Sequence, residues 1–239
     1  MHSIINKFLP ALTIMLGATA FTTSPHAAGD DAGSDKWFVE GRYQKSISEG
    51  TGFTDKDKTN TKVISATGEK FDNLDSAGVS VGKYFNDGQS SLSIGYESFG
   101  TVNKSFTTTT QQNGAVVSNV ALPMDITNIM IEAGYQVPIS QNLFAVGLVG
   151  VGQAKINSKP YSAAGLTGLG TAKEVTNTST RLGIGVGFKL NATTSIIGLV
   201  QQSNYGDATL NLGGVTDTQF DFDSEVNATE ASIRLRVSF

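Results

Sequence analysis

Between Arg181 and Leu190 the chain reads RLGIGVGFKL. Leu182, Ile184, Val186, Phe188 and Leu190 fall on one parity, and Arg181, Gly183, Gly185, Gly187 and Lys189 on the other. Only a strand has a side-chain period of two, so this segment predicts a strand with an apolar face opposite a small and charged one. The signature returns along the chain. In WFVEGRYQKSI, Trp37, Val39 and Tyr43 oppose Glu40, Arg42 and Gln44, and in SLSIGYESF, Leu92, Ile94 and Tyr96 oppose Ser91, Ser93, Gly95 and Glu97. NIMIEAGYQV sets Ile129, Ile131, Ala133, Tyr135 and Val137 against Glu132 and Gln136. The closing ASIRLRVSF separates Ala231, Ile233, Leu235, Val237 and Phe239 from Ser232, Arg234, Arg236 and Ser238. From Ala77 to Phe85, Val79 and Val81 alternate with Ser80 and Gly82, but Lys83 falls on the apolar side, which a bulge or an interfacial position would accommodate. The stretches that begin at Leu143 and Ser195 are strand-like in composition but alternate poorly, and their facing is not readable. Together these make about eight strands, each near the roughly 9 to 11 residues of a tilted membrane-spanning strand.

The connections sort into two kinds. Asn86 to Gln89, Pro138 to Asn142 and Asn191 to Thr194 read as tight turns. Ser48 to Asn73, Asn103 to Pro123, Asn157 to Asn177 and Asp207 to Glu225 are long and polar. Long and short alternate strictly, which puts every tight turn at one end of a barrel and every long segment at the other. A soluble sandwich would also bury one face of each strand, but it gives no reason for this asymmetry.

Composition fits many strands and turns: 239 residues with 27 Gly, 5 Pro and no Cys. The missing cysteine removes disulfides, thiolate chemistry and thiolate metal sites together. A net charge of -4 without any Lys/Arg-rich run argues against a nucleic-acid partner. At the N-terminus Lys7 precedes the apolar run Phe8 to Phe21, which is too short to span a membrane and is broken by Pro10. Residues 1–28 therefore read as a signal peptide cleaved after Ala28, with Ala20 as a competing site. Removal of Lys7 and no acid takes the charge to -5, and it also removes His2 and His26, the only histidines.

Signal peptide, alternation, one-sided loops and the terminal Arg-Val-Ser-Phe together resemble the small bacterial outer-membrane β-barrel family. That family includes the transmembrane domain of outer membrane protein A and the opacity-type adhesins. The resemblance covers the chain from about Trp37 to Phe239. It implies an all-β fold, an eight-stranded antiparallel up-and-down transmembrane β-barrel, over residues 29–239 (about 36–239 for the barrel itself). It also implies residence in the bacterial outer membrane with lipid around the wall. Phe239, Val237 and Leu235 would form the signal read by the barrel-insertion machinery. A monomer is expected.

In such a barrel the apolar parity meets lipid, and Trp37, Tyr43, Phe85, Tyr96, Tyr135, Phe144, Phe188 and Phe239 would form the interfacial girdles. The other parity would enclose a lumen charge network of Glu40, Arg42, Glu97, Glu132, Arg181, Lys189, Glu230, Arg234 and Arg236, and Lys155 is placed with them. Eight strands leave a bore that side chains fill, so the charges should pair with one another across it, Arg234 and Arg236 with Glu40 at the seam.

No catalytic residue, cofactor or metal is expected. The resemblance implies that the family's hydrolases and acyltransferases use a His base, and the mature chain has none. Gln201-Gln202-Ser203-Asn204 resembles the His-x-Ser-Asn motif of lipid A deacylases, but Gln201 stands where the base would be, and an amide cannot take the serine proton. GIGVGF lies inside a strand and is no nucleotide loop. The acidic sets Asp55, Asp57, Glu69, Asp72, Asp75 and Asp217, Asp221, Asp223, Glu225 could hold a divalent cation but lack an ordered ligand spacing. The functional expectation is a filled barrel whose four long loops serve surface interaction, with a host or surface ligand in adhesion, or envelope integrity. A narrow porin for water, ions or small solutes is the alternative, and a lipid A-modifying enzyme a further one.

Overall fold

The computed structural model describes residues 36–49, 53–55, 64–72, 74–110, 116–163, 166–169, 172–211 and 221–239. Residues 1–28, expected to be a signal peptide, and Asp57 and Asp217 lie outside them. Twelve strands occur among the described residues: β1 (Trp37–Glu49), β2 (Phe53–Asp55), β3 (Ile64–Asp72), β4 (Ser76–Phe85), β5 (Ser90–Thr110), β6 (Val116–Pro138), β7 (Leu143–Ser158), β8 (Tyr161–Ala163), β9 (Leu166–Leu169), β10 (Lys173–Lys189), β11 (Thr194–Asn211) and β12 (Asp221–Ser238).

Eight of them close into an antiparallel barrel. The circuit runs β1, β4, β5, β6, β7, β10, β11, β12 and returns to β1. At the seam the Trp37 amide donates to the Phe239 carbonyl at 3.1 Å, and the Phe239 amide donates back to Trp37 at 2.9 Å. Lipid offers no hydrogen-bond partner to an open edge, so a membrane-spanning sheet has to close in this way. The four short strands extend the circuit at the extracellular end. There β2 continues along β12 and β3 along β5, while β8 touches β6 and pairs with β9.

The three tight turns lie at Asn86–Gln89, 139–142 and 190–193, all at the end that carries both ends of the barrel wall. In the first, Asn86, Asp87 and Gly88 take φ of 51°, 54° and 82°, the left-handed geometry that Asn, Asp and Gly tolerate best. The long connections differ from expectation. Asn103–Pro123 is mostly strand, since β5 runs to Thr110 and β6 starts at Val116, and β10, β11 and β12 likewise reach far into the segments read as loops. Polar alternation had hidden these strands, because the faces of the sheet exchange roles above the membrane.

That exchange divides the barrel into two sections. In the lower one Leu92, Ile94, Ile129, Ile131, Val149, Val151, Leu182, Ile184, Val200 and Ile233 point outward and are exposed to lipid. Lys83 lies on this outward face at the periplasmic end, its ammonium 5.8 Å from the Phe85 ring, as an interfacial lysine does. In the upper section the outward positions turn polar (Thr101, Asn103, Gln153, Asn157), and the inward ones form an apolar core with Phe71, Leu74, Phe99, Val102, Phe106, Leu122, Met124, Ile126 and Ile156. Phe99 meets Tyr205 edge-on at 4.9 Å. The β6 residues Val116 to Asn128 give roughly 40 Å of strand above the lipid-facing Ile129. The extracellular part is thus a sheet structure folded around its own core, as a water-soluble domain is.

The facing of β7 and β11 also becomes clear. Phe144, Val146, Leu148, Ile197 and Leu199 point inward and form a second apolar cluster, on one wall of the lower lumen. Both faces of these strands are apolar there, so their sequences do not alternate. Phe144, expected in a girdle, is 4% exposed inside the barrel. Trp37, Phe85, Tyr96, Tyr135, Phe188 and Phe239 lie outward and exposed, and Tyr43, half-buried, donates its hydroxyl to Asp75 at 2.9 Å.

Candidate functional site

Between the two sections the lumen is crossed by a charged belt. Strand parity carries Glu40 and Arg42 inward from β1, Glu97 from β5, Glu132 from β6, Arg181 from β10, and Glu230, Arg234 and Arg236 from β12. All are at most 6% exposed, and four carboxylates face four guanidiniums. Glu132 is the hub. It accepts from Arg42 at 2.6 Å, from Arg181 at 3.0 Å and from Arg234 at 3.0 and 3.3 Å. Glu97 takes a two-pronged contact from Arg181 at 2.6 and 2.8 Å, and further bonds from Gln44 and Asn128. The bidentate geometry suits the planar guanidinium.

At the seam Glu40 accepts from Arg234 at 3.1 Å and from Arg236 at 2.9 and 2.7 Å. Arg236 also stacks 4.2 Å from the Phe38 ring and bonds the Tyr84 hydroxyl at 3.0 Å, which closes the belt toward the periplasm. Glu230 is held by neutral donors: Gln201, Ser203 and Tyr205 at 2.9, 2.8 and 2.9 Å. Gly95 makes the arrangement possible, since a β-carbon there would strike the Arg42 guanidinium.

Two residues assigned to the network stand elsewhere. Lys189 is exposed at the periplasmic mouth, where it lines an open vestibule of about 380 Å³ with Lys36, because its parity is inward but its height is below the belt. Lys155 faces outward and pairs with Glu174 at 2.9 Å, both about half exposed. The network also has neutral members that the sequence pattern does not single out: Gln44, Asn128, Ser179, Gln201, Ser203 and Tyr205. Parity finds Gln44, Asn128 and Ser179, which share the inward register of charged neighbours on β1, β6 and β10, but not Gln201, Ser203 and Tyr205, which lie on β11, where the facing is not readable from sequence.

Against the lower side of the belt lies a small cavity of about 10 Å³, bounded among others by Glu132, Leu148, Leu199, Arg234 and Arg236, about enough for one water. Ser203, the serine of the deacylase-like stretch, is completely buried in the lumen, where it donates to Glu230 and accepts from Arg181 at 3.0 Å. Of the acidic sets, Asp75 accepts from Tyr43, and Asp223 accepts from Thr209 at 2.8 Å. Among the described residues no group of three or more acids or histidines is placed to hold a metal ion.

No curated protein matches the chain in sequence. Among solved structures, the outer membrane protein OprG from Pseudomonas aeruginosa is similar with a TM-score of 0.54 at 10% identity, over 86% of this chain and 96% of that one. The outer membrane protein AlkL, solved in lipid bilayers, gives 0.50 at 14% identity over 91% and 95%. These likenesses concern the fold. The model of the outer membrane protein beta-barrel domain matches residues 13–239. The chain therefore belongs to the outer membrane protein β-barrel domain family and resides in the bacterial outer membrane.

Proposed function

We propose that this barrel is a non-enzymatic, non-conducting scaffold that holds a rigid extracellular structure for contact with another surface. The observation that carries the reading is the filled bore. A balanced belt of four acids and four arginines spans the lumen, with apolar side chains packed above it. An ion entering this lumen would have to break buried charge pairs, at a cost of several kcal/mol. Above it stands a folded section whose outer surface is polar, which supplies contact area without the entropy loss of ordering loops.

The porin reading is disfavoured by the same packing. Steady conductance of the purified protein in a planar bilayer, altered by Arg181→Ala, would overturn the scaffold reading. The enzyme reading is disfavoured by the burial of Ser203 among Arg181 and Glu230, out of reach of lipid. Surface contact is tested by removing Asn103 to Pro123, the upper β5–β6 hairpin. Attachment of expressing cells to a host surface should fall while the gel shift between unheated and boiled protein persists. Undiminished attachment refutes it.

A further inference from the structure

The periplasmic mouth of the barrel is a recess into which hydrogen-bond donors converge. Its inner end is closed by a layer of side chains: Phe38 meets Tyr84 at 4.9 Å, Arg236 stacks 4.2 Å from Phe38, and Glu40 holds Arg236 at 2.9 and 2.7 Å. Outside that layer lies the vestibule of about 380 Å³, a volume within the range of small-molecule pockets. The backbone fixes where its cations stand. The Lys36 carbonyl accepts from the Tyr84 amide at 2.9 Å, just ahead of β1, and the Lys189 amide donates to Asn142 at 2.8 Å, at the end of β10.

Four donors in the lining are left free by the fold. Among the described residues neither the Lys36 nor the Lys189 ammonium has an ion-pair partner. Gln136 is 9% exposed, and its amide nitrogen meets no acceptor. The Tyr84 hydroxyl accepts from Arg236 at 3.0 Å, and among the described residues no acceptor takes its own proton. A buried donor without an acceptor is rare in native structures unless a ligand or water meets it.

The charge points the same way. The belt behind the vestibule is balanced, four carboxylates to four guanidiniums, so it leaves the field of the two ammoniums standing. Asp87 is the acid in the lining, and the chain-terminal Phe239 is not part of it. Walls of low dielectric constant concentrate such a field inside a recess.

We propose that the periplasmic vestibule binds an oxyanion, a carboxylate or phosphate carried by a soluble periplasmic molecule. Lys36 and Lys189 pair with its charge, and Gln136 and Tyr84 donate to its oxygens, as charge-assisted bonds to an anion require. The recess is blind, because Phe38 and Arg236 close it, so the molecule docks there and goes no further. Phe144 offers an apolar wall beside the cations, which suits an anion with a short hydrocarbon part. The site faces away from the extracellular section, so it holds or fails independently of the surface-contact reading.

The probes are succinate and inorganic phosphate, titrated separately into the full chain in zwitterionic nanodiscs while NMR follows the backbone amides of Gln136 and of residues 193–195. Saturable shifts with a Kd of roughly millimolar are expected. Saturation by succinate alone assigns the site to carboxylates, and by phosphate alone to phosphates. Lys36→Gln and Lys189→Gln should each weaken binding by about threefold to fivefold, and the double variant should abolish saturation. Gln136→Leu should weaken binding at constant salt, which a merely diffuse attraction would not show. Lys45→Gln, exposed near the extracellular end of β1, should change nothing. No saturable shift with either anion overturns the proposal, as do shifts that persist in the double lysine variant or that chloride reproduces at equal ionic strength. Binding seen only after deletion of residues 29–35 overturns it too, because the site would then belong to the chain's own Asp30, Asp31 and Asp35.

Discussion

Replacing Glu132 with Gln tests the belt at its most connected point. The carboxylate accepts four hydrogen bonds from three arginines, with donor distances of 2.6 to 3.3 Å. The amide keeps one accepting oxygen and turns its NH2 toward guanidiniums, so about two of the charge-assisted bonds are lost, each worth roughly 1.5–3 kcal/mol. Four arginines are then left against three buried carboxylates. Removing one partner of a buried pair costs about 3–5 kcal/mol, in agreement with the bond-by-bond figure. With an m-value of about 3 kcal/mol per molar urea, the unfolding midpoint in lipid vesicles should fall by about 1–1.7 M, read by loss of the gel shift between unheated and boiled protein. Glu174→Gln is the control. Its pair with Lys155 is half exposed, so the midpoint should move by less than about 0.3 M. If Glu132→Gln shifts the midpoint no more than Glu174→Gln does, the belt is not what holds the lower barrel together.

Three other expectations follow from the geometry. Phe99→Ala empties a fully buried site against Tyr205 and should cost about 3–5 kcal/mol, felt in the upper section: limited proteolysis should cut the extracellular hairpins while the gel shift survives. Partial burial raises the Asp125 carboxyl, but hydrogen bonds from Lys159 and Thr101 and the lysine charge outweigh it and lower its pKa. That contribution to stability is present above the pKa of an unfolded aspartate and is lost as pH falls through the lower folded value. An NMR titration of the carboxyl carbon should therefore show a depressed midpoint that rises in Lys159→Ala. Phe239→Ala should slow insertion by the barrel machinery, measured as a smaller gel-shifted fraction after a pulse of synthesis, if the C-terminal strand is the assembly signal. An unchanged fraction would dismiss that role.

The lower barrel was readable because one solvent rule governs it. Lipid outside and packed charge inside force strict alternation on β1, β5, β6, β10 and β12, so Ile94, Ile131 and Ile184 and their charged neighbours Glu97, Glu132 and Arg181 reveal facing without coordinates. The rule fails where the two environments become alike or exchange. Phe144, Val146 and Leu148 back onto an apolar lumen wall, so β7 looks apolar on both sides and Phe144 passes for a girdle aromatic. Above Ile129 the outer medium is water, and Ile126 and Met124 turn inward while Asp125 and Thr127 turn out. Read with the lipid rule, that stretch looks like polar loop, although it is strand. The height of a residue along the barrel is also invisible to parity, which is why the pattern assigns Lys189 to the belt although it sits at the mouth.

The ion pair between Arg236 and Glu40 joins residues 196 positions apart. Every other neighbouring pair in the circuit can form by adding the next hairpin, but the β1–β12 seam that this ion pair spans, where Trp37 meets Phe239, closes the largest loop among the described residues. Its entropic cost grows only with the logarithm of length, yet it falls due all at once and late, after the intervening strands exist. The barrel is consequently a molecule that cannot mature gradually from its first strand. Its N-terminal edge must wait, shielded from other edges, until the last strand arrives, and the rate of that single encounter sets how long an unclosed sheet is exposed to misassembly.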